Sequence, residues 1–292
     1  MEEFDALVTG GSGFLWKYML AESVGSRFRL CFLGRTPPGP GSRFERVDLA
    51  APGAAEGKNL HGLRSRFFLH FAAPTPRPQH KVTPAESDCI AMNAAVIALR
   101  CGALRLIHAS SGAVYGRNWP ACRSEEDEAA PATDYGKAKE SAETIIDAFF
   151  NDADAGRRAT HLRLHFPAPA AAALRHAVAA GDCSRLFARL AGDLLNHRTI
   201  RLEPPVFSMN PCPRGALVEL LGLLLKGQDP PGRVLNVAGA RAVTLEQAVL
   251  ELGARLGKLP QFERGDGAPL SMLADTRRLR SMIGDALDSP LF

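Results

Sequence analysis

The chain has 292 residues, 46% of them apolar, with 35 Lys and Arg against 31 Asp and Glu and a formal net charge of +4. That composition supports a large core in one big or two unequal domains. Nearly balanced charge without a dense basic run argues against nucleic acid as a partner. No apolar stretch approaches the roughly 20 residues of a membrane span, and no signal peptide precedes the first apolar run, so a cytoplasmic protein without membrane partners is expected.

In chain order, strands are expected near 5–9, 28–33, 66–71, 104–109, 160–166 and 233–237, and helices near 13–23, 84–102, 134–151 and 245–257. Alternation of strands and helices predicts an α/β fold, a Rossmann-type doubly wound parallel sheet. Beyond about residue 166 the periodicity weakens, which predicts a dinucleotide-binding domain over 1–166 and a smaller substrate lobe over 167–292, with 233–239 returning to the first domain. The six cysteines, Cys31, Cys89, Cys101, Cys122, Cys183 and Cys212, show no C-x-x-C and no metal spacing. They read as buried, reduced thiols, and no metal is expected.

The first apolar run ends in Thr9-Gly10-Gly11-Ser12-Gly13-Phe14-Leu15 and leads into an amphipathic segment. Glycine allows a tight turn and close backbone approach to a pyrophosphate, and a helix N-terminus adds free N–H groups and a favourable dipole. Further on stand Ser110-Ser111-Gly112-Ala113 and then Tyr135-Gly136-Lys137-Ala138-Lys139. Tyr135 and Lys139 are i and i+4 on an expected helix that Thr133 or Asp134 can cap, so both can face one pocket. A nearby ammonium favours a phenolate, and a phenol so tuned exchanges a proton with a substrate oxygen that a serine hydroxyl also binds. Alternation along a strand lets one of Ser110 and Ser111 reach that oxygen.

Together these segments resemble the extended short-chain dehydrogenase/reductase family of sugar-nucleotide epimerases, dehydratases and reductases. His70-Phe71-Ala72-Ala73, Asn93, Asn236-Val237-Ala238-Gly239 and Ala274-Asp275-Thr276 add to the likeness, which runs from Val8 to about Ile283. The resemblance implies Ser111, Tyr135 and Lys139 as catalytic residues. It implies that Gly10, Gly13, Phe14, Leu15, Asp48, Leu49, Ala72 and Ala73 hold an NAD(P) cofactor, together with Tyr135 and Lys139. It also implies a homodimer formed through the helices near 84–102 and 134–151.

Departures from the family pattern sharpen the expectation. Trp16 replaces the third glycine of the turn, so its indole must swing outward, shift the helix or fill space that a dinucleotide uses. The second strand ends Leu33-Gly34-Arg35 without the carboxylate of NAD sites. Arg35 is then either a partner for a 2′-phosphate, favouring NADP, or a solvated surface residue. Arg163-Leu164-His165-Phe166-Pro167 lacks the family's asparagine, and Pro211-Cys212-Pro213 lacks its aspartate pair; His165 reads as structural or as an acid. Gly112 and Ala113 stand where dehydratases carry an Asp-Glu pair and cannot move protons. The expected function is therefore an epimerase or oxidoreductase acting on a sugar nucleotide or related hydroxylated metabolite. A ketoreductase of specialised metabolism and a redox-inactive family member are the alternatives.

Overall fold

The short apolar runs become strands and the longer segments between them become flanking helices. The computed structural model describes residues 2–74, 83–117, 119, 121–152 and 154–292. In chain order the strands include β1 (Glu2–Thr9), β2 (Leu30–Gly34), β3 (Phe44–Arg46), β4 (Leu63–His70), β5 (Arg105–Ser111), β6 (Arg158–Leu164), the short β7 (Ile200–Leu202) and β8 (Phe207–Met209), and β9 (Val234–Val237). All of these except β7 and β8 lie in one seven-stranded sheet ordered β3-β2-β1-β4-β5-β6-β9. Its registers pair Thr9 with both Leu33 and His70, and His70 with His108, in parallel. This is the doubly wound order whose ligand crevice lies at the carboxyl ends of the strands. The three-residue β3 was not expected, because so short an edge strand carries no periodicity.

α1 (14–24) follows β1, α2 (Pro84–Arg100) precedes β5 and α3 (Asp134–Phe150) precedes β6. Thr83 starts α2 by accepting from the Glu86 N–H, with Pro84 at the first helical position. Thr133, rather than Asp134, caps α3 by accepting from the Gly136 N–H. Each hydroxyl satisfies an N–H that the helix leaves unpaired, an effect worth about 1 kcal/mol. Alanines on α2 (Ala91, Ala94, Ala95 and Ala98) let that helix approach Leu7, Leu33, Phe68 and Leu106 of the sheet, with Ile146 and Phe150 of α3 in the same core. Each fully buried Leu or Phe contributes about 1.5–3 kcal/mol.

Two compact units divide the chain: Met1–Gly116, Glu128–Arg163 and Leu221–Leu235 in one, Arg117–Asp127, Leu164–Leu220 and Asn236–Phe292 in the other. The second unit contains α4 (Ala171–Ala179), α5 (Leu186–Leu195) and α6 (Leu245–Leu256), the last closed by a Thr244–Gln247 capping box and by Gly257 in the left-handed region. Asn210 ties this unit together, bonding the Gly239 carbonyl and both the carbonyl and the N–H of Ala274. Cys31, Cys101 and Cys212 are buried, but Cys122 and Cys183 are exposed, so the expectation of buried thiols holds only for part of the set. Among the described residues, no helix is long and apolar enough to cross a membrane.

The first unit also has a polar interior. On α3, Tyr135, Lys139, Glu143 and Asp147 recur every fourth residue and so form one stripe. Opposite them, alternation puts His108 and Ser110 of β5, and His161 and Arg163 of β6, on one face of the sheet. Glu143 accepts from the Ser110 hydroxyl and from Arg163, whose Nε and Nη2 reach its two oxygens at 3.1 and 2.8 Å. One turn further along, His108 Nδ1 lies 3.2 Å from His161 Nδ1, and His161 Nε2 lies 3.1 Å from Asp147 Oδ1. His70 completes the row, stacked on His108 with ring centroids 5.3 Å apart.

Burial first, and then the positive charge of Lys139, pushes His70 down to about 3 and His108 well below an ordinary imidazole. An imidazole whose folded value is depressed binds protons more readily in the unfolded chain. Stability is therefore fully present above an unfolded value of about 6.5 and falls as pH drops below it, by up to about 1.4 kcal/mol per pH unit for each ring. The thermal midpoint should accordingly hold steady above about pH 7 and fall by several degrees between about pH 6.5 and pH 5, above the range of ordinary carboxylates. A midpoint unchanged over that interval would show that these histidines are not held neutral.

Candidate active site

A buried threonine joins the glycine turn to the end of β4. Thr9 Oγ1 lies 2.8 Å from His70 Nδ1 and accepts from the Ala72 N–H at 3.3 Å. Gly10 has φ +77°, and a Cβ there would lie 2.5 Å from the Phe71 carbonyl carbon, so only glycine fits. Gly13 donates its N–H to the Gly10 carbonyl at 2.9 Å, closing the turn that opens α1. Phe14 is buried, 4.9 Å from the Tyr18 ring, and Leu15 is half-buried.

Trp16 does not swing outward. Its indole is buried and meets the Phe32 ring edge-on at 4.8 Å, and the helix from Trp16 to Leu20 widens into a π-turn. Without Cβ, the family's glycine leaves helix and sheet close together, whereas an indole needs the wider turn that α1 adopts here. Phe32 in turn covers the glycine turn: a Cβ on Gly11 would lie 2.5 Å from its Cδ1.

Asp48 is exposed, and its Oδ1 accepts from the Ala50 N–H at 3.1 Å. The Leu49 side chain belongs to the core. Asn93 of α2 fixes this loop, donating to the Leu49 and Ala51 carbonyls at 2.9 Å each and accepting from the Ala55 N–H. Arg35 is exposed directly after β2.

Tyr135 and Lys139 line a cleft with Ala72, Ala73, His70, His108 and Ser87. Four of the expected site residues thus meet there. Lys139 is buried and donates to the Ala109 carbonyl at 2.6 Å, which aims its ammonium at the edge of β5. Ser110 and Ser111 diverge, as alternation requires. Ser110 is buried and donates to Glu143, while Ser111 is half-buried and accepts from the Ala113 N–H at 3.2 Å at the head of a 3₁₀ turn. Ser111 is not among the residues lining the Tyr135 cleft. Gly112 and Ala113 lie in that same turn.

The groups that support this cleft were not singled out from sequence: His108, Glu143, Asp147 and His161. Their spacing holds the signal, since Glu143 and Asp147 extend the Tyr135–Lys139 series by four residues at a time. Arg163, quoted only as part of a motif, places its guanidinium 4.6 Å from the Tyr115 ring centroid. Burial opposes its charge, but the Glu143 carboxylate outweighs that and holds Arg163 above an ordinary guanidinium. In the second unit His165 is buried edge-on to Trp119, with ring centroids 5.5 Å apart. Among the described residues no cluster of His, Cys, Asp or Glu is arranged to hold a metal.

The donor set fits a dinucleotide. Ser12 and Gly13 are exposed at the N-terminus of α1, where a pyrophosphate is favoured, and Lys139 adds a buried ammonium bonded to β5. Comparison with curated proteins gave no significant match. Among solved structures, similar folds include MoeE5 in complex with UDP-glucose and NAD (24% identity, TM-score 0.75, covering 96% of this chain and 92% of that one). They also include UDP-glucose 4-epimerase of Thermus thermophilus complexed with NAD (17%, TM-score 0.74, 99% of each chain). A third is UDP-glucuronic acid 4-epimerase of Bacillus cereus with NAD (16%, TM-score 0.71, 97% and 92%). At these identities the likeness is one of fold. The model of the NAD dependent epimerase/dehydratase family matches residues 6–167, more than half of the sequence, and by that match the chain belongs to this family of extended short-chain dehydrogenase/reductase-type enzymes.

Proposed function

We propose that the protein is an NAD(P)-dependent epimerase or oxidoreductase acting on a sugar nucleotide. The observation that carries this reading is the shared cleft of Tyr135 and Lys139 beside Ala72 and Ala73, tied through Thr9 to the glycine turn. The UDP-glucose and NAD of the MoeE5 complex, and the NAD of the two UDP-sugar 4-epimerase complexes, support it. When bound, the dinucleotide supplies the hydride acceptor and donor. Tyr135 gives or takes a proton at its phenol oxygen, Ser111 hydrogen-bonds the same substrate oxygen, and Lys139 orients the nicotinamide ribose. Gly112 and Ala113 offer no acid for water elimination, which argues against a dehydratase.

Tyr135→Phe should lower turnover by roughly two to four powers of ten with the fold intact, and Ser111→Ala should lower it as well. Ser110→Ala should act on stability through Glu143 instead. Near-normal turnover in Tyr135→Phe with a UDP-sugar that the wild type converts would remove the assignment.

Cofactor choice follows from Arg35, exposed at the end of a strand that carries no carboxylate. It favours NADP, so Arg35→Ala should weaken NADP more than NAD in calorimetric titrations. Equal losses for the two dinucleotides would return Arg35 to the solvated surface.

We also propose a homodimer through α2 and α3. Both helices leave large apolar side chains on the surface, Met92 at 42% and Phe149 at 47% exposure. Sedimentation at micromolar concentration should show a dimer, converted to monomer by Met92→Glu with Phe149→Glu; a wild-type monomer would end the proposal.

A further inference from the structure

The row of polar groups behind the cleft has the form of a connected path. His108 lines the cleft beside Tyr135 and Lys139. Its Nδ1 lies 3.2 Å from His161 Nδ1, and His161 Nε2 lies 3.1 Å from Asp147 Oδ1. Both rings are 1% exposed, whereas the Asp147 side chain is 33% exposed. From His108 outward, the path therefore joins the cleft to solvent at Asp147 in steps no longer than a hydrogen bond.

An imidazole–imidazole hydrogen bond holds one proton between two nitrogens, so the rings must be opposite tautomers. The Asp147 carboxylate accepts from His161 Nε2–H. Burial works against that carboxylate, but its hydrogen bonds from His161 and Asn151 hold it below the usual carboxylate range. With both rings neutral, His161 Nδ1 accepts from His108 Nδ1–H, and His108 Nε2 keeps a lone pair. The groups around the path are Lys139 and His70 on the cleft side, both raising the cost of a positive charge on His108, and Arg233 near Asp147. A proton arriving at His108 is thus passed on rather than stored.

We propose that His108, His161 and Asp147 are a proton relay that exchanges the Tyr135 proton with solvent. In the outward direction His108 Nε2 takes a proton from the cleft. The His108 Nδ1–H bond breaks as His161 Nδ1–H forms, His161 Nε2–H breaks as Asp147 O–H forms, and Asp147 releases a proton to water. No electrons move, and the inward direction is the same sequence reversed. Tyr135 and His108 line the same cleft, and the relay requires one water between them.

The relay deepens the proposed function and rests on it for its purpose. Oxidising an alcohol or reducing a ketone releases or consumes one proton per turnover, whereas an epimerase takes a proton and gives it back. A built route to solvent therefore points to net oxidation or reduction as this chain's chemistry.

Two measurements test the proposal. In protein labelled with ¹⁵N-histidine, NMR without substrate should show one protonated Nδ1 in the His108–His161 pair and a coupling across the N–H···N bond. Two rings both protonated at Nε2 only, with no coupling, would overturn the relay whatever the enzyme does. The second is single-turnover reduction of NAD or NADP by UDP-glucose, followed by nicotinamide absorbance. Asp147→Asn keeps an acceptor oxygen for His161 but cannot take its proton. It should slow the step by about 10²-fold, the low end of general acid–base effects, and make the rate rise with buffer concentration at unchanged dinucleotide affinity. A slowed rate independent of buffer, or no slowing, would assign the row a structural role and overturn the relay. If the wild type turns over no UDP-sugar, the functional reading fails, while the NMR result still decides the relay.

Discussion

The structure depends on one face of α3 carrying polar groups into the interior. A carboxylate, a guanidinium and an ammonium removed from water cost several kcal/mol each unless every one is paired. Glu143 meets Arg163 bidentately and takes the Ser110 hydroxyl, Lys139 finds the Ala109 carbonyl, and Asp147 takes His161. Removing one partner of such a pair leaves a buried charge and costs about 3–5 kcal/mol, so the register of α3 against β5 and β6 is held tightly. Fixing that register fixes where Tyr135 stands.

The same constraint explains how the cleft differs from the turn that faces it. Around Gly10 the backbone itself does the work, with glycine allowing contact with the end of β4 and Thr9 locking two strand ends together. Around Tyr135 the side chains do it, anchored at i+4 intervals to strands that present polar residues at i+2 intervals. Backbone and side-chain halves meet along the carboxyl edge of one parallel sheet, where the strand order places a ligand crevice.

Much of this was legible in the chain. The strands and long helices of the first unit lie within a few residues of their expected positions, because apolar runs and hydroxyl caps act locally. Tyr135 and Lys139 do share a face, and Ser110 and Ser111 do part company, since both follow from helix and strand periodicity alone. Trp16 was harder: sequence marks the missing glycine but does not say that α1 can widen into a π-turn and bury the indole on Phe32. The Leu49 side chain is core because Asn93 holds its loop from another helix, a contact between residues 44 positions apart. Glu143, Asp147, His108 and His161 sat in plain periodic series, yet their pairing needs the strand order, which the sequence does not state.

In the proposed function, the glycine turn and the Tyr135–Lys139 cleft form one dinucleotide site. Calorimetric titration of the purified wild-type protein with NAD and with NADP tests it most directly, with Lys139→Ala as the comparison. Binding should be saturable at one site per chain and clearly weakened in Lys139→Ala. Failure of the wild type to bind either dinucleotide would contradict it.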